Sequence, residues 1–172
     1  MALEEFTKNI VDADLLVIGG GTAGCPLAAK AAEQGLRVVI AEKSNTARSG
    51  NVAHGIDSYG VFPHGISLKE LMPMWSQRMT KRNQGAGRNV DENIDYVIFN
   101  KEWWAVEELE RMGISMKWDD GDYYWTPHMI QGKGLKLGLR VHWHDVKPKM
   151  ARMCADRGVE TLNRVMIIDI LT

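Results

Sequence analysis

No apolar run in this chain approaches the ~20 residues that a helix needs to cross a bilayer, so membrane insertion is not expected. Cysteine is scarce. Cys25 and Cys154 are the only two in 172 residues, and they form no Cys-x-x-Cys pair. That argues against a disulfide frame and a cysteine-ligated cluster, and it suits a reducing, cytoplasmic compartment. Charge of one sign is also missing. Twenty-one Lys and Arg face 22 Asp and Glu, a net charge of −1, which gives no general pull toward nucleic acid or anionic lipid. The N-terminal stretch carries Glu4, Glu5, Asp12 and Asp14 and lacks the apolar core of a signal peptide. There is no internal repeat and no low-complexity tract.

What is present begins at Asp14. Leu15–Ile18 is a short apolar run that reads as a buried parallel strand. It ends in Gly19-Gly20-Gly21-Thr22-Ala23-Gly24, which fits G-x-G-x-x-G. A helix is expected over Cys25 to Gln34, closed by Gly35. A second strand, Arg37–Ala41, ends in Glu42, 18 residues after Gly24. Together these make a βαβ dinucleotide-binding unit. Gly19 is expected to make the tight turn, and Gly21 to let a pyrophosphate approach the backbone. Gly24 lets the helix pack closely. The helix N-terminus presents amides and a positive dipole end to the phosphates, with Thr22 and Ala23 in the turn. Glu42 can accept hydrogen bonds from a ribose diol. Cys25 reads first as a small residue packed on the sheet and second as a redox thiol.

After Glu42 the chain does not soon start another helix, as an NAD domain would. Ser44–Gly60 is rich in Gly, Ser and Asn and has no helical period. Such a loop can cross a cofactor and donate backbone and hydroxyl hydrogen bonds along it.

The middle of the chain shows helical spacing over Ser67–Arg82 (Leu68, Leu71, Met72, Trp75, Met79), with Ser67 as N-cap and a kink at Pro73. Asp91 can cap a longer helix with Ile94, Ile98, Ala105, Leu109 and Met112 on one face, ended by Gly113. Trp103 and Trp104 fall within it as core or interface aromatics. Ile114–Trp118 and Tyr123–Trp125 flank Asp119-Asp120-Gly121-Asp122, a hairpin signal. Gly132–Gly138 reads as a solvated basic connector. Asp145 is expected to cap a helix Val146–Arg157, with Gly158 beyond its end. Val165–Leu171 is apolar apart from Asp169 and reads as a terminal strand. Met72, Met74, Met79, Met150 and Met153 are expected as core or interface filler. His142 and His144 share a face if extended, with His128 upstream, but no spacing supplies a third metal ligand, so no metal site is expected.

Glu42-Lys43-Ser44 and Arg48-Ser49-Gly50-Asn51-Val52-Ala53-His54-Gly55 resemble the FAD-binding flavoprotein subunits of the fumarate reductase/succinate dehydrogenase family. Within it, the likeness is closest to the alpha subunits of adenylylsulfate reductases, whose loop reads Arg-Ser-Gly-x-Val-Ala-Gln-Gly. Trp118-Asp-Asp-Gly-Asp-Tyr-Tyr124 resembles the turn after their long helix. Gly158–Leu171 resembles the family's strand beneath the adenine. The likeness covers most of the chain and is strongest in 12–60 and 155–172.

The resemblance implies an α/β, Rossmann-like FAD-binding domain, incomplete at the C-terminus, in a flavin-dependent oxidoreductase. It implies FAD contacts at Gly19, Gly21, Thr22, Ala23, Gly24, Glu42, Lys43, Arg48, Ser49, Gly50, Asn51, Ala53, His54, Gly55 and Val165. The family's flavin-linking histidine is replaced by Gly50, which implies non-covalent FAD. Asp57 falls near a substrate-side asparagine, and a carboxylate there would repel sulfate or phosphate, which argues against adenylylsulfate as substrate. His54 is a candidate to hydrogen-bond the flavin or donate a proton, or else a polar loop residue facing solvent.

Family members are several-fold longer, so the chain reads as the N-terminal part of such a subunit. Its expected segments are an extension (1–13), the βαβ unit with flavin loop (14–60), a helical and hairpin insertion (61–144), and a helix with returning strand (145–172). Implied partners are a small-molecule substrate and another chain completing the flavoprotein, with an iron–sulfur electron-transfer subunit among the candidates. The alternatives are a non-catalytic FAD-binding or assembly fragment and an NAD-dependent dehydrogenase.

Overall fold

The computed structural model describes residues 9–54, 58–62, 64–67, 69, 92–130, 133–140 and 143–170. In chain order the elements are β1 (Leu15–Ile18), α1 (Gly24–Glu33), β2 (Val38–Glu42), a 3₁₀ turn (Asn51–His54), β3 (Ser58–Tyr59), α2 (Glu92–Arg111), β4 (Trp125–Ile130), β5 (Lys133–Arg140), α3 (Trp143–Ala155) and β6 (Glu160–Asn163). They divide into two units, Met1–Ile56 with Trp143–Thr172, and Asp57–His142.

The first unit is built on a parallel sheet in the order β1-β2-β6. Leu15 pairs with Val38 and Ile18 with Ala41; Val39 pairs with Glu160 and Glu42 with Asn163. β2 is central, and all five of its residues are buried. A Val-Val-Ile-Ala run suits that place, since β-branched side chains pack well on a sheet covered on both faces. α1 packs on β1, β2 and α3. It buries Cys25, Ala28 and Ala29, small residues that let the helix come close. α3 buries Val146, Met150 and Met153, one apolar stripe at helical spacing, together with Lys147 and Cys154.

The second unit holds an antiparallel sheet in the order β3-β5-β4, and α2. Trp103 centres an aromatic cluster. Its ring stacks on His64 at 3.6 Å and meets Tyr123 and Trp125 edge-on at 5.3 and 6.1 Å. Its indole N–H donates to the Phe62 carbonyl at 2.8 Å. Trp104, by contrast, is exposed. Glu102 is buried beside the cluster and accepts the Phe62 N–H at 3.0 Å.

The three long helices among the described residues end as the glycines of the sequence suggest. After α1, Gly35 N donates to Ala32 O and Leu36 N to Ala31 O. Gly113 with Ile114, and Gly158 with Val159, repeat the pattern after α2 and α3. Each glycine has positive φ, as this helix stop requires.

Several expectations are corrected. The terminal strand is Glu160–Asn163, and residues 165–170 form no strand. Arg164 is the cause: at φ +61° it turns the chain out of the sheet, sending its own N–H to Ser44 O and that of Val165 to Glu42 O. α3 begins at Trp143, so Asp145 lies in its first turn rather than capping it, and His144 is helical rather than extended. Lys133–Arg140 is strand β5, not a connector, because it pairs along β4. The Asp119–Asp122 turn closes a single bridge, Lys117 to Tyr123, instead of a full hairpin. On α2 the buried residues among those described are Glu102, Val106 and Leu109, with Met112 buried just past its end, while Ile94, Ile98 and Ala105 stand exposed. In the N-terminal half of that helix Phe99 packs its ring on Phe62 at 5.9 Å, while Ile94, Tyr96, Val97 and Ile98 are exposed. Met150 and Met153 are buried as expected. Most of the Ser67–Arg82 helix, Asp91, Gly132 and His142 lie outside the described residues.

Candidate dinucleotide site

At the C-terminal end of β1, Gly19 N donates to Ala41 O at 2.9 Å, and Gly19 takes φ +96°, a value that favours glycine. The chain then turns into α1. A Cβ on Gly24 would lie 1.9 Å from Gly19 O, so that position admits only glycine. A Cβ on Gly21 would meet nothing within 4 Å, which leaves open space over the turn. α1 has Ala23 at its N-cap, with no side-chain cap and no acidic residue in its first turn. Its positive end is therefore left uncompensated by the helix's own first turn, as suits an anion cradle.

Glu42 ends β2 and is 5% exposed. Its two carboxylate oxygens accept from Gly20 N and Ser44 N, each at 2.8 Å. Burial alone would raise its pKa. The two amides, the nearby Ser49 hydroxyl and Lys147 outweigh burial and hold it below the ordinary carboxylate value. The Ser49 hydroxyl is buried and makes no well-formed hydrogen bond. Each Glu42 oxygen still has a lone pair to offer a ribose hydroxyl.

The remaining expected residues fall around this turn or along the loop that returns to it. A groove is lined by Ile18, Gly19, Ala41, Glu42, Lys43, Val165, Met166 and Ile167, which brings Val165 to the foot of the glycine turn across more than 120 residues of sequence. Thr22, Ala23, Lys43 and Arg48 are exposed. Gly50 has φ +85°, and a Cβ on it would lie 3.8 Å from Gly21 Cα, so the loop crosses back over the turn. Asn51, Ala53 and His54 belong to the 3₁₀ turn, pinned by buried Val52 and packed on α3. His54 is exposed. Gly55 and Asp57 lie outside the described residues.

Three participants were not legible in the sequence. Asn163 Oδ1 accepts from Thr46 N at 2.8 Å and Thr46 Oγ1 at 3.1 Å, tying the loop after β2 to β6. Thr46 in turn backs the glycine turn, since a Cβ on Gly20 would lie 2.7 Å from its Oγ1. Lys147, 1% exposed, donates from Nζ to Gly20 O. A lone Thr or Asn in a polar loop carries no periodic signal, and a lysine on a helix reads as solvated. The two cysteines, distant in sequence, come together: Cys25 Sγ donates to Gly20 O at 3.2 Å and Cys154 Sγ to Cys25 O at 3.4 Å. Both are free and buried.

A family described as FAD binding domain matches residues 14–172. Among solved structures, adenylylsulfate reductase from Archaeoglobus fulgidus aligns with a TM-score of 0.55 and 22% identity, covering 89% of this chain and 24% of its own. An adenosine-5-phosphosulfate reductase in complex with sulfite gives 0.53 and 21%, covering 92% and 24%. The Mycobacterium smegmatis Sdh1 complex gives 0.58 and 18%, covering 88% and 27%. These likenesses are of fold, and the chain spans about a quarter of the length of each of these structures. No curated protein sequence matches it. The open glycine turn, the uncapped helix and the acid at the end of β2 fit a dinucleotide, and with residues 14–172 matched the chain belongs to the FAD binding domain family.

Proposed function

We propose that this chain is the FAD-holding part of a flavin-dependent oxidoreductase of the fumarate reductase/adenylylsulfate reductase type, with FAD bound non-covalently. The observation that carries this reading is the open space over Gly21 at the uncapped start of α1, with the Glu42 carboxylate fixed beside it. Residues Gly19–Gly24 hold the pyrophosphate. Glu42 takes the ribose. The apolar groove ending in Val165 takes the adenine, with Lys43 at its rim. Arg48, Ser49, Gly50, Asn51, Ala53 and His54 pass the flavin side. Bound there, FAD supplies hydride or electron-pair transfer.

The catalytic groups and a small-molecule substrate belong to protein outside these 172 residues, in another chain or a longer form of this one. The apolar segment Val165–Ile170, with Ile168 90% exposed, supports such a completing partner, and an iron–sulfur electron-transfer subunit is one candidate. His54, in the loop that passes the flavin side, is a candidate to donate a proton there. No described helix is long and apolar enough to cross a membrane; we place the protein in the cytoplasm, on its cysteine usage.

The purified chain, or its complex, should carry the absorbance of oxidised flavin. Acid precipitation should leave that flavin in the supernatant. Flavin retained on the denatured chain would overturn non-covalent binding, and absence of any FAD binding would overturn the whole reading.

A further inference from the structure

Gly20 is clamped at both ends of its peptide framework. Its N–H donates to the Glu42 carboxylate at 2.8 Å. Its C=O accepts from Lys147 Nζ and from Cys25 Sγ, the latter at 3.2 Å. Lys147 is 1% exposed, 127 residues away in sequence, on α3. A buried ammonium is costly unless it is paired or hydrogen-bonded, and here the Gly20 carbonyl is its acceptor. Among the described residues no carboxylate lies within ion-pair distance of Nζ, and its second near neighbour is the Cys25 sulfur at 4.0 Å. Glu42 is the anion whose charge it feels.

The consequence lies in the peptide plane. The Gly20–Gly21 bond is trans, so the N–H of Gly21 points opposite to the C=O of Gly20. With that carbonyl drawn inward by Lys147, the Gly21 N–H is turned the opposite way, and beside it a Cβ on Gly21 would meet nothing within 4 Å. The ammonium also places a positive charge directly beneath the turn, where low dielectric extends its reach.

We propose that Lys147 is a positioning residue for the FAD pyrophosphate: it fixes the Gly20–Gly21 peptide with its N–H toward the phosphates and adds a buried positive charge behind them. This rests on the FAD reading of the same turn. A lysine that merely filled space would affect every ligand alike. A lysine acting through the phosphate-facing amide affects diphosphates and spares the nucleoside.

The test compares FAD, ADP and adenosine binding to the full chain and to Lys147→Met, which keeps the length and removes the charge, with thermal unfolding of each as a control. Lys147→Met should weaken FAD and ADP by about tenfold, the factor for one lost charge-assisted hydrogen bond, and leave adenosine within about twofold. Equal loss of ADP and adenosine, or unchanged ADP binding by the folded variant, would overturn the proposal. Where Lys147→Met fails to fold, Lys147→Gln is read by the same ADP-to-adenosine ratio. In the wild-type chain, ADP but not adenosine should shift the Gly21 amide resonance, and an unmoved resonance also overturns it. A wild-type chain that binds neither FAD nor ADP removes the FAD reading itself. Normal wild-type binding matched by the variant removes only the role of Lys147.

Discussion

Burial presses the pKa of two glutamates in this chain upward, and they part in what opposes it. Glu42 receives two backbone N–H groups and feels a buried ammonium, which hold it ionised despite its burial. Glu102 receives, among the described residues, the Phe62 N–H alone, and burial pushes its pKa up from 4.5 to about 7. Because the folded form of Glu102 binds its proton more tightly than the unfolded form, folding takes up a proton between these two values. Stability of the unit carrying α2 should therefore fall as pH rises from about 4.5 to about 7. Glu102→Gln, which keeps an acceptor for Phe62, should flatten that dependence in thermal melts across the range. An undiminished slope in the variant would assign it to another group. For Glu42 the sign reverses: its contribution is present above pH 4.5 and lost as pH falls below.

The glycines of the turn separate stability from binding. Gly24→Ala drives a Cβ to 1.9 Å from the Gly19 carbonyl, a backbone atom that cannot swing aside. It should destabilise the chain by about 3 kcal/mol, the upper end for overpacking, as read by denaturant melts. Gly21→Ala meets nothing within 4 Å in the protein. It should melt like the parent and yet bind FAD more weakly. If both variants lose stability equally, the space over Gly21 is not reserved for a ligand.

Among the elements, β6 shows how a strand's place is set by its partner rather than by its own hydropathy. Glu160–Asn163 is mixed in character but lies in register with Val39–Glu42 and takes its hydrogen bonds. The more apolar segment after it is turned away by Arg164 at φ +61°. A β-branched residue tolerates that conformation poorly. Arg164→Val should therefore destabilise the first unit by about 1–3 kcal/mol and disturb the groove wall at Val165, visible as weaker adenosine binding. Unaltered adenosine affinity would detach this turn from the site. The central strand is more predictable. Ile40 is fully buried, and Ile40→Ala should destabilise by about 2–5 kcal/mol.

At the scale of the whole molecule, apolar surface is the dominant unmet demand. β1 is an edge of the described sheet and leaves Leu16 and Ile18 half exposed, at 50% and 55%. Met166, Ile168 and Ile170 of the same unit are exposed at 69%, 90% and 69%. Free edges and contiguous apolar patches associate. The isolated chain should elute from gel filtration as an oligomer or aggregate, and Ile168→Asp with Ile170→Asp should shift it toward monomer without lowering its melting temperature. A parent chain that runs as a clean monomer with slow hydrogen exchange through 165–170 would remove the need for a completing partner.

The sequence by itself determined the βαβ unit, because its signals are local. A four-residue apolar strand, three glycines at fixed spacing, a small-residue helix stopped by Gly35 and a strand ending in Glu42 all sit within about 30 residues. It also marked the ends of α2 and α3 through Gly113 and Gly158, since a helix stop is set by one backbone angle. Only the tertiary structure decided what stands behind the glycine turn. Thr46, Asn163 and Lys147 reach it from the loop after β2, from β6 and from α3, and hydropathy cannot distinguish a lysine facing water from one held against a buried carbonyl. The same holds for β6, whose mixed residues became a strand because β2 offered its hydrogen bonds, whereas β5 does carry a period-2 signal in Leu135, Leu137 and Leu139, set among glycines and lysines that read as a connector.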